Sequence, residues 1–129
     1  MPIHDSIGEE YVLLALRLDR HIPGFVDAYV GPPKLRAAVQ SESPRPLDVL
    51  EEDAARLHDT ICSANLEPDR RDYLTRQTAA MRTAAQIRRG CRMSYRDEVK
   101  ALFDIVPERT PESEFDRALR QVDTILPGK

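Results

Sequence analysis

The sequence lacks tryptophan, and only 5% of its residues are aromatic. Valine, isoleucine, tyrosine and phenylalanine are sparse and rarely alternate with polar residues, so the sequence does not predict a set of β-strands. No apolar run is long enough to cross a bilayer, and we expect no membrane partner. Two cysteines in 129 residues are too few for a disulfide framework, which favours a reducing compartment with the cytoplasm as the default.

Common signatures of catalysis and of targeting are also missing. The chain contains no HExxH, Gly-rich phosphate loop, GxSxG or CxxC. Met1–Asp5 has no basic stretch followed by an apolar run, so we expect no signal peptide. Residues 67–92 hold seven bases and three acids, but no nucleic-acid motif accompanies them and the net charge is −3. We therefore expect a basic helix packed beside acidic ones, with no nucleic-acid partner, no metal and no cofactor.

Apolar residues instead recur at steps of three and four, the spacing of one helix face. The first stripe is Ile7, Tyr11, Leu14 and Leu18. A longer one is typical of an antiparallel bundle and consists of Leu47, Leu50, Ala54, Leu57, Ile61 and Ala64. With the capping signals, the spacing predicts helices that start near residues 6, 33, 47, 69, 95 and 111. We predict an all-α fold, a single helical-bundle domain of five to six helices over residues 1–129.

Capping residues mark several helix ends. Asp5 or Ser6 suits the N-cap of the first helix, Ser94 that of the fifth, and Thr110 before a proline that of the sixth. Pro127-Gly128 is predicted to end the sixth helix. The predicted buried side of that helix consists of Phe115, Leu119, Val122, Ile125 and Leu126.

The connection His21–Pro33 carries two glycines and three prolines, yet also several apolar side chains. A solvated linker needs none of these, so we interpret it as an ordered segment pressed onto the core. His21 continues the 4-3-4 spacing of the first helix and should face inward. It could act as a general base with Asp27 or Tyr29 as partner, since its unperturbed pKa lies near neutrality. Alternatively, His21 bonds a backbone carbonyl in the core and Asp27 bonds backbone amides in a turn.

The fourth helix carries small residues on the face predicted to be buried, which would let another helix approach closely. Gln77 falls within that face, and Arg88 lies towards its end. Elsewhere, His58 and Cys62 have a spacing that could hold two metal ligands, but ordinary packing explains both. Glu51–Asp53 is interpreted as a solvated helix face.

Several stretches together resemble a bacterial family of long, poorly characterised helical proteins. They are Tyr11–Leu16, His21–Leu35, Ser94–Phe103 and the closing Leu126–Gly128. Full-length members of this family resemble zinc peptidases of the helical HExxH type, and the resemblance covers nearly all of this chain but only about the first third of a member. It implies a helical wall over a cleft, with the zinc helix later in the protein. The metal motif has no counterpart here, so the resemblance argues against peptidase activity by this chain alone.

Three functional hypotheses follow. The first is a small stand-alone module, non-catalytic or with lost peptidase function, that binds a small molecule or peptide in a cleft walled by His21–Pro33. The second is a metal-free hydrolase, isomerase or cyclase acting on a small molecule, and the third is a structural subunit that completes another polypeptide. The candidate catalytic residues are His21, Asp27 and Tyr29, and the candidate ligand-binding residues are Tyr11, His21, Phe25, Asp27, Tyr29, Gln77 and Arg88.

Apolar surface left on such a wall predicts self-association. A homodimer is the simplest way to cover it, with an interface on the alanine-rich fourth helix or on the last helix.

Overall fold

The computed structural model describes residues 5–126 and 128, and over that part of the chain it is 68% helical and contains no strand. The helices are α1 (Ser6–Asp19), α2 (Pro33–Ser41), α3 (Leu47–Ser63), α4 (Pro68–Arg88), α5 (Tyr95–Phe103) and α6 (Glu112–Ile125). The predicted all-α fold class is confirmed, and each predicted start lies within one residue of the observed one. The predictions for Met1–His4 and for Pro127 lie outside the described residues.

Two predicted caps are present as hydrogen bonds. The Asp5 carboxylate accepts from the backbone N–H of Gly8 at 3.0 Å, and Ser94 Oγ accepts from the backbone N–H of Asp97 at 3.2 Å. The predicted cap of α6 is wrong by one position, because Pro111 occupies the N-cap and makes no side-chain cap bond. Helix α6 therefore starts without the side-chain acceptor that stabilises α1 and α5.

The core lies among α1, α3 and α4, with α3 and α4 forming the most extensive helix pair. Its buried members are Leu14, Leu18, Leu50, Ala54, Leu57, Ile61, Leu74, Met81 and Ala85, of which those in α1 and α3 lie on the predicted three-and-four stripes. Helix α2 packs against α1 and forms a smaller cluster from Leu16, Leu35 and Val39. Both clusters include residues of α1, so α1 is held on two sides.

The acidic run of α3 is not the solvated face that the sequence suggested. Glu51 accepts a hydrogen bond from Gln86 at 2.8 Å and pairs with Arg89. The Gln86 bond, and after it the arginines, hold the pKa of Glu51 below its usual value. Asp53 pairs with Arg45 at 2.6 Å, so two of the three acids tie α3 to other parts of the chain.

Helices α5 and α6 depart from the expected bundle. Among the described helices, α5 packs against α4 alone, and none of its own residues is buried. Within the described part of the chain, α6 packs against no other helix. The predicted buried side of α6 is wrong, because Phe115, Leu119, Val122, Ile125 and Leu126 are 46% to 74% exposed.

In the described ranges, every helix is too short or too polar to cross a membrane.

Candidate functional site

An open apolar groove of about 800 Å³ runs along α4, with α1 and the His21–Pro33 connection on one side and α5 on the other. Its floor is one face of α4. The floor residues are separated by steps of three and one, as expected for one side of a helix, and they are Gln77, Ala80, Met81, Ala84, Ile87 and Arg88. The sequence predicted this alanine-rich face to be buried, and that prediction is wrong for most of it. Met81 is buried, but Ala80 and Ala84 are half-buried and Arg88 is exposed, whereas Thr78 and Ala85 on the other side of the helix are fully buried. The opposite face of α4 packs on α3, so α4 separates the core from the groove.

The first wall is built where α1 ends and the connection folds back over it. The Leu18 carbonyl accepts from the backbone N–H groups of both His21 and Ile22 at 2.9 Å, which closes the helix end. Gly24 then has φ +85°, a left-handed conformation that side chains disfavour. The chain turns there and presents Phe25 and Val26 to the groove.

Asp19, which is not among the site residues predicted from the sequence, anchors this wall. Its carboxylate accepts from the backbone N–H of Val26 at 2.8 Å. The signal was present, because an acid in the last turn of a helix is disfavoured by the helix dipole and needs another reason to be there. The predicted turn bond of Asp27 is not observed among the described contacts. Asp27 is exposed and lines the groove.

Tyr29 closes the connection. Its hydroxyl donates to the Pro32 carbonyl at 2.7 Å, and the Arg36 guanidinium lies 5.6 Å from the ring centre, within range of a cation–π contact. A Cβ at Gly31 would lie 2.7 Å from this ring, so the glycine admits the tyrosine. The ring lines the groove while its hydroxyl is engaged locally.

The His21 ring points away from the groove. Its Nε2 lies 2.6 Å from the Arg45 carbonyl oxygen, in the connection before α3. This is the contact expected of the structural alternative, and His21 is not among the lining residues. Asp27 and Tyr29 do line the groove, so the three candidate catalytic residues are not brought together. Their catalytic role stays a prediction.

The remaining candidate ligand-binding residues, Tyr11, Phe25, Gln77 and Arg88, all line the groove. Arg88 Nε donates to the His21 carbonyl at 2.9 Å, which joins the end of α4 to the end of α1. Burial raises the pKa of Tyr11 to about 12, and a side-chain hydrogen bond with Tyr73 adds to the shift. The Tyr11 hydroxyl therefore stays neutral well above physiological pH.

The second wall was not predicted from the sequence. It consists of Glu98, Leu102 and Phe103 of α5. The last of them precedes Asp104, a left-handed C-cap whose carboxylate pairs with Arg76 of α4 at 3.1 Å and with Lys100. The apolar face of α5 was visible in the sequence, but its docking beside the alanine face of α4 is a tertiary contact.

The His58 and Cys62 pair is an ordinary helix-surface contact, with Cys62 Sγ 3.8 Å from His58 Nδ1. Among the described residues, no three His, Cys, Asp or Glu side chains lie close enough together to hold a metal ion.

No family model, curated protein or solved structure matches this chain.

Proposed function

We propose that the chain is a binding module that takes an amphipathic α-helix of a polypeptide in the groove between α1 and α5. The observation that carries the proposal is the floor of the groove, where small and apolar side chains of α4 follow helical spacing along an open groove. Amphipathic helices bind to hydrophobic grooves through side chains repeated at the same spacing. Ala80 and Ala84 would allow the backbone of the incoming helix to approach closely.

The shape favours a helix over a small molecule. From Gln77 to Arg88 the floor is about 17 Å long, at 1.5 Å per residue. A small-molecule site needs a few converging polar groups to orient the ligand. Here Arg88 is bound to the His21 carbonyl and the Tyr29 hydroxyl to the Pro32 carbonyl, while Asp27 and Glu98 lie on opposite walls and Gln77 on the floor. The exposed thiols of Cys62 and Cys91, which form no disulfide, fit the reducing cytoplasm that we propose as its compartment.

The test uses a fluorescein-labelled designed peptide with leucine at heptad positions a and d and lysine and glutamate elsewhere. Its anisotropy is followed as the full chain is added. Ala84→Glu and Ala80→Glu should each weaken binding by about tenfold or more, because an unpaired charge in the groove costs on the order of 1–3 kcal/mol.

Ala79→Glu is the matched control. Ala79 is an exposed alanine of the same helix and does not line the groove, so its change should leave the affinity unaltered. Equal weakening by Ala79→Glu, or binding that survives both groove substitutions, would refute the proposal.

A further inference from the structure

Helix α6 needs a surface that the described part of its own chain does not supply. It has 14 residues and no side-chain cap, and helices of this length are only marginally stable in water without packing. Its exposed apolar side chains, from Phe115 to Leu126, follow steps of four, three, three and one on a single face. Helix α6 thus has the apolar stripe of a helix that packs on a partner, but no helix of the described residues covers that stripe.

The dimensions of α6 match those of the groove. Its stripe from Phe115 to Leu126 spans eleven residue steps, as does the floor from Gln77 to Arg88, and both are about 17 Å long at 1.5 Å per residue. The stripe carries large side chains, and the floor carries the small Ala80 and Ala84. Large and small residues on facing helices pack closely.

The connection between α5 and α6 holds α6 away from its own groove. It contains Pro107 and Pro111, each of which biases the residue before it towards an extended backbone. An extended arm does not easily reverse onto the chain that carries it. None of the residues of α6 lines the groove of the same chain.

We infer that α6 docks in the groove of a second copy of this chain, so that two chains exchange their last helices and form a symmetric dimer. This inference rests on the proposed function and names the helix that the groove takes. Each exposed apolar side chain offers on the order of 60–120 Å². Since these side chains are 46% to 74% exposed, two stripes and the two grooves that face them would bury on the order of 1,000–1,500 Å², which reaches the lower part of the range of specific protein–protein interfaces.

The first experiment is light scattering on the full chain at micromolar concentration, with twice the chain mass as the expected result. Leu119→Glu in α6 and Ala84→Glu in the groove should each give a monomer. The control substitutions, Thr124→Glu on the far side of α6 and Ala79→Glu outside the groove, should remain dimeric. Ala80→Glu replaces Ala84→Glu if circular dichroism shows that the latter is unfolded.

The decisive step is to mix the two monomeric variants. Leu119→Glu keeps an intact groove and Ala84→Glu keeps an intact α6, so the mixture should form a 1:1 heterodimer through the one contact that survives. Labelled Leu119→Glu titrated with unlabelled Leu119→Glu should show no binding. A contact between two α6 helices would leave Ala84→Glu dimeric, and a contact between two α4 helices would leave Leu119→Glu dimeric. Either result, a monomeric wild type or a mixture that fails to associate would overturn the inference.

The designed leucine peptide separates this inference from the proposed function. It is titrated into Leu119→Glu, whose groove has lost its occupant. Peptide binding together with a monomeric wild type would retain the helix-binding function and reject the second copy as partner. Absence of peptide binding together with a mixture of the two variants that fails to associate would reject both.

Discussion

Removing the Asp19 carboxylate tests whether one hydrogen bond holds the first wall of the groove. Asp19→Ala deletes the charged acceptor of the Val26 N–H, and bonds to charged groups contribute about 1.5–3 kcal/mol. The same change relieves an unfavourable acid at the C-terminal end of α1, which offsets about 0.3–1 kcal/mol. The net loss of unfolding free energy should therefore be about 1–2 kcal/mol.

Asp19→Asn keeps an oxygen that can accept from Val26 and removes the charge. The neutral hydrogen bond contributes less stability than the charged one, but removing the negative charge from the C-terminal end of α1 restores a similar amount. The unfolding free energy of Asp19→Asn should therefore lie within about 0.5 kcal/mol of wild type. Both variants are measured by urea denaturation. Glu10→Ala, which removes an exposed acid on the same helix, controls for the loss of charge. Affinity for the designed peptide, corrected for unfolded protein, should fall for Asp19→Ala because Phe25 and Val26 lose their anchor.

Two results would refute this reasoning. If Asp19→Ala is as stable as wild type, water replaces the carboxylate at the Val26 amide without cost. If Asp19→Asn loses as much stability as Asp19→Ala, the charge of Asp19 matters and the hydrogen bond does not.

Three further predictions concern other groups. His21→Ala should cost about 1–3 kcal/mol in urea denaturation, because a backbone carbonyl loses its partner; a fully stable variant with lost peptide binding would instead favour a functional histidine. The hydrogen bond from Gln86 lowers the pKa of Glu51, so its stabilisation is present above the unfolded value of about 4.3 and is lost as pH falls through the lower folded value. Glu51→Gln should flatten this acid dependence of the unfolding free energy, and an unchanged profile would contradict the assignment. The pKa of Tyr11 is raised to about 12, so its contribution to the unfolding free energy is present below about pH 10 and is lost as pH rises through the folded value. Tyr73→Phe removes the hydrogen-bond partner and should move the late rise of tyrosinate absorbance to lower pH. An unmoved titration would show that burial alone causes the shift.

The core could be predicted because its stripes are long and regular. Leu14 and Leu18 lie on one face of α1, and the unbroken apolar series lies on one face of α3. Helices with such apolar faces pack against each other. Helix α6 has an equally clear stripe and is exposed. Periodicity identifies the apolar face of a helix, but the partner that covers it depends on the path of the chain, here through Pro107 and Pro111.

The candidate site could be predicted in part for the same reason. Phe25 and Tyr29 line the groove because a connection with apolar residues had to lie on the core. His21 lies on the predicted inward face. The spacing of residues predicts in which direction a side chain leaves the helix, but it does not predict which group the side chain meets, here the Arg45 carbonyl. The wall from α5 depends on a tertiary contact with α4 that no local pattern encodes.

The two walls of the groove differ in how easily they can yield. The wall carried by α1 is continuous with the core, so moving it would expose Leu14 and Leu18. None of the residues of α5 is buried, and among the described helices it packs against α4 alone. Segments with few buried contacts open locally at low free energy while the rest of the protein stays folded. The α5 wall can therefore open while the α1 wall stays in place. We expect the backbone amide hydrogens of α5 to exchange with solvent well before those of α3 and α4.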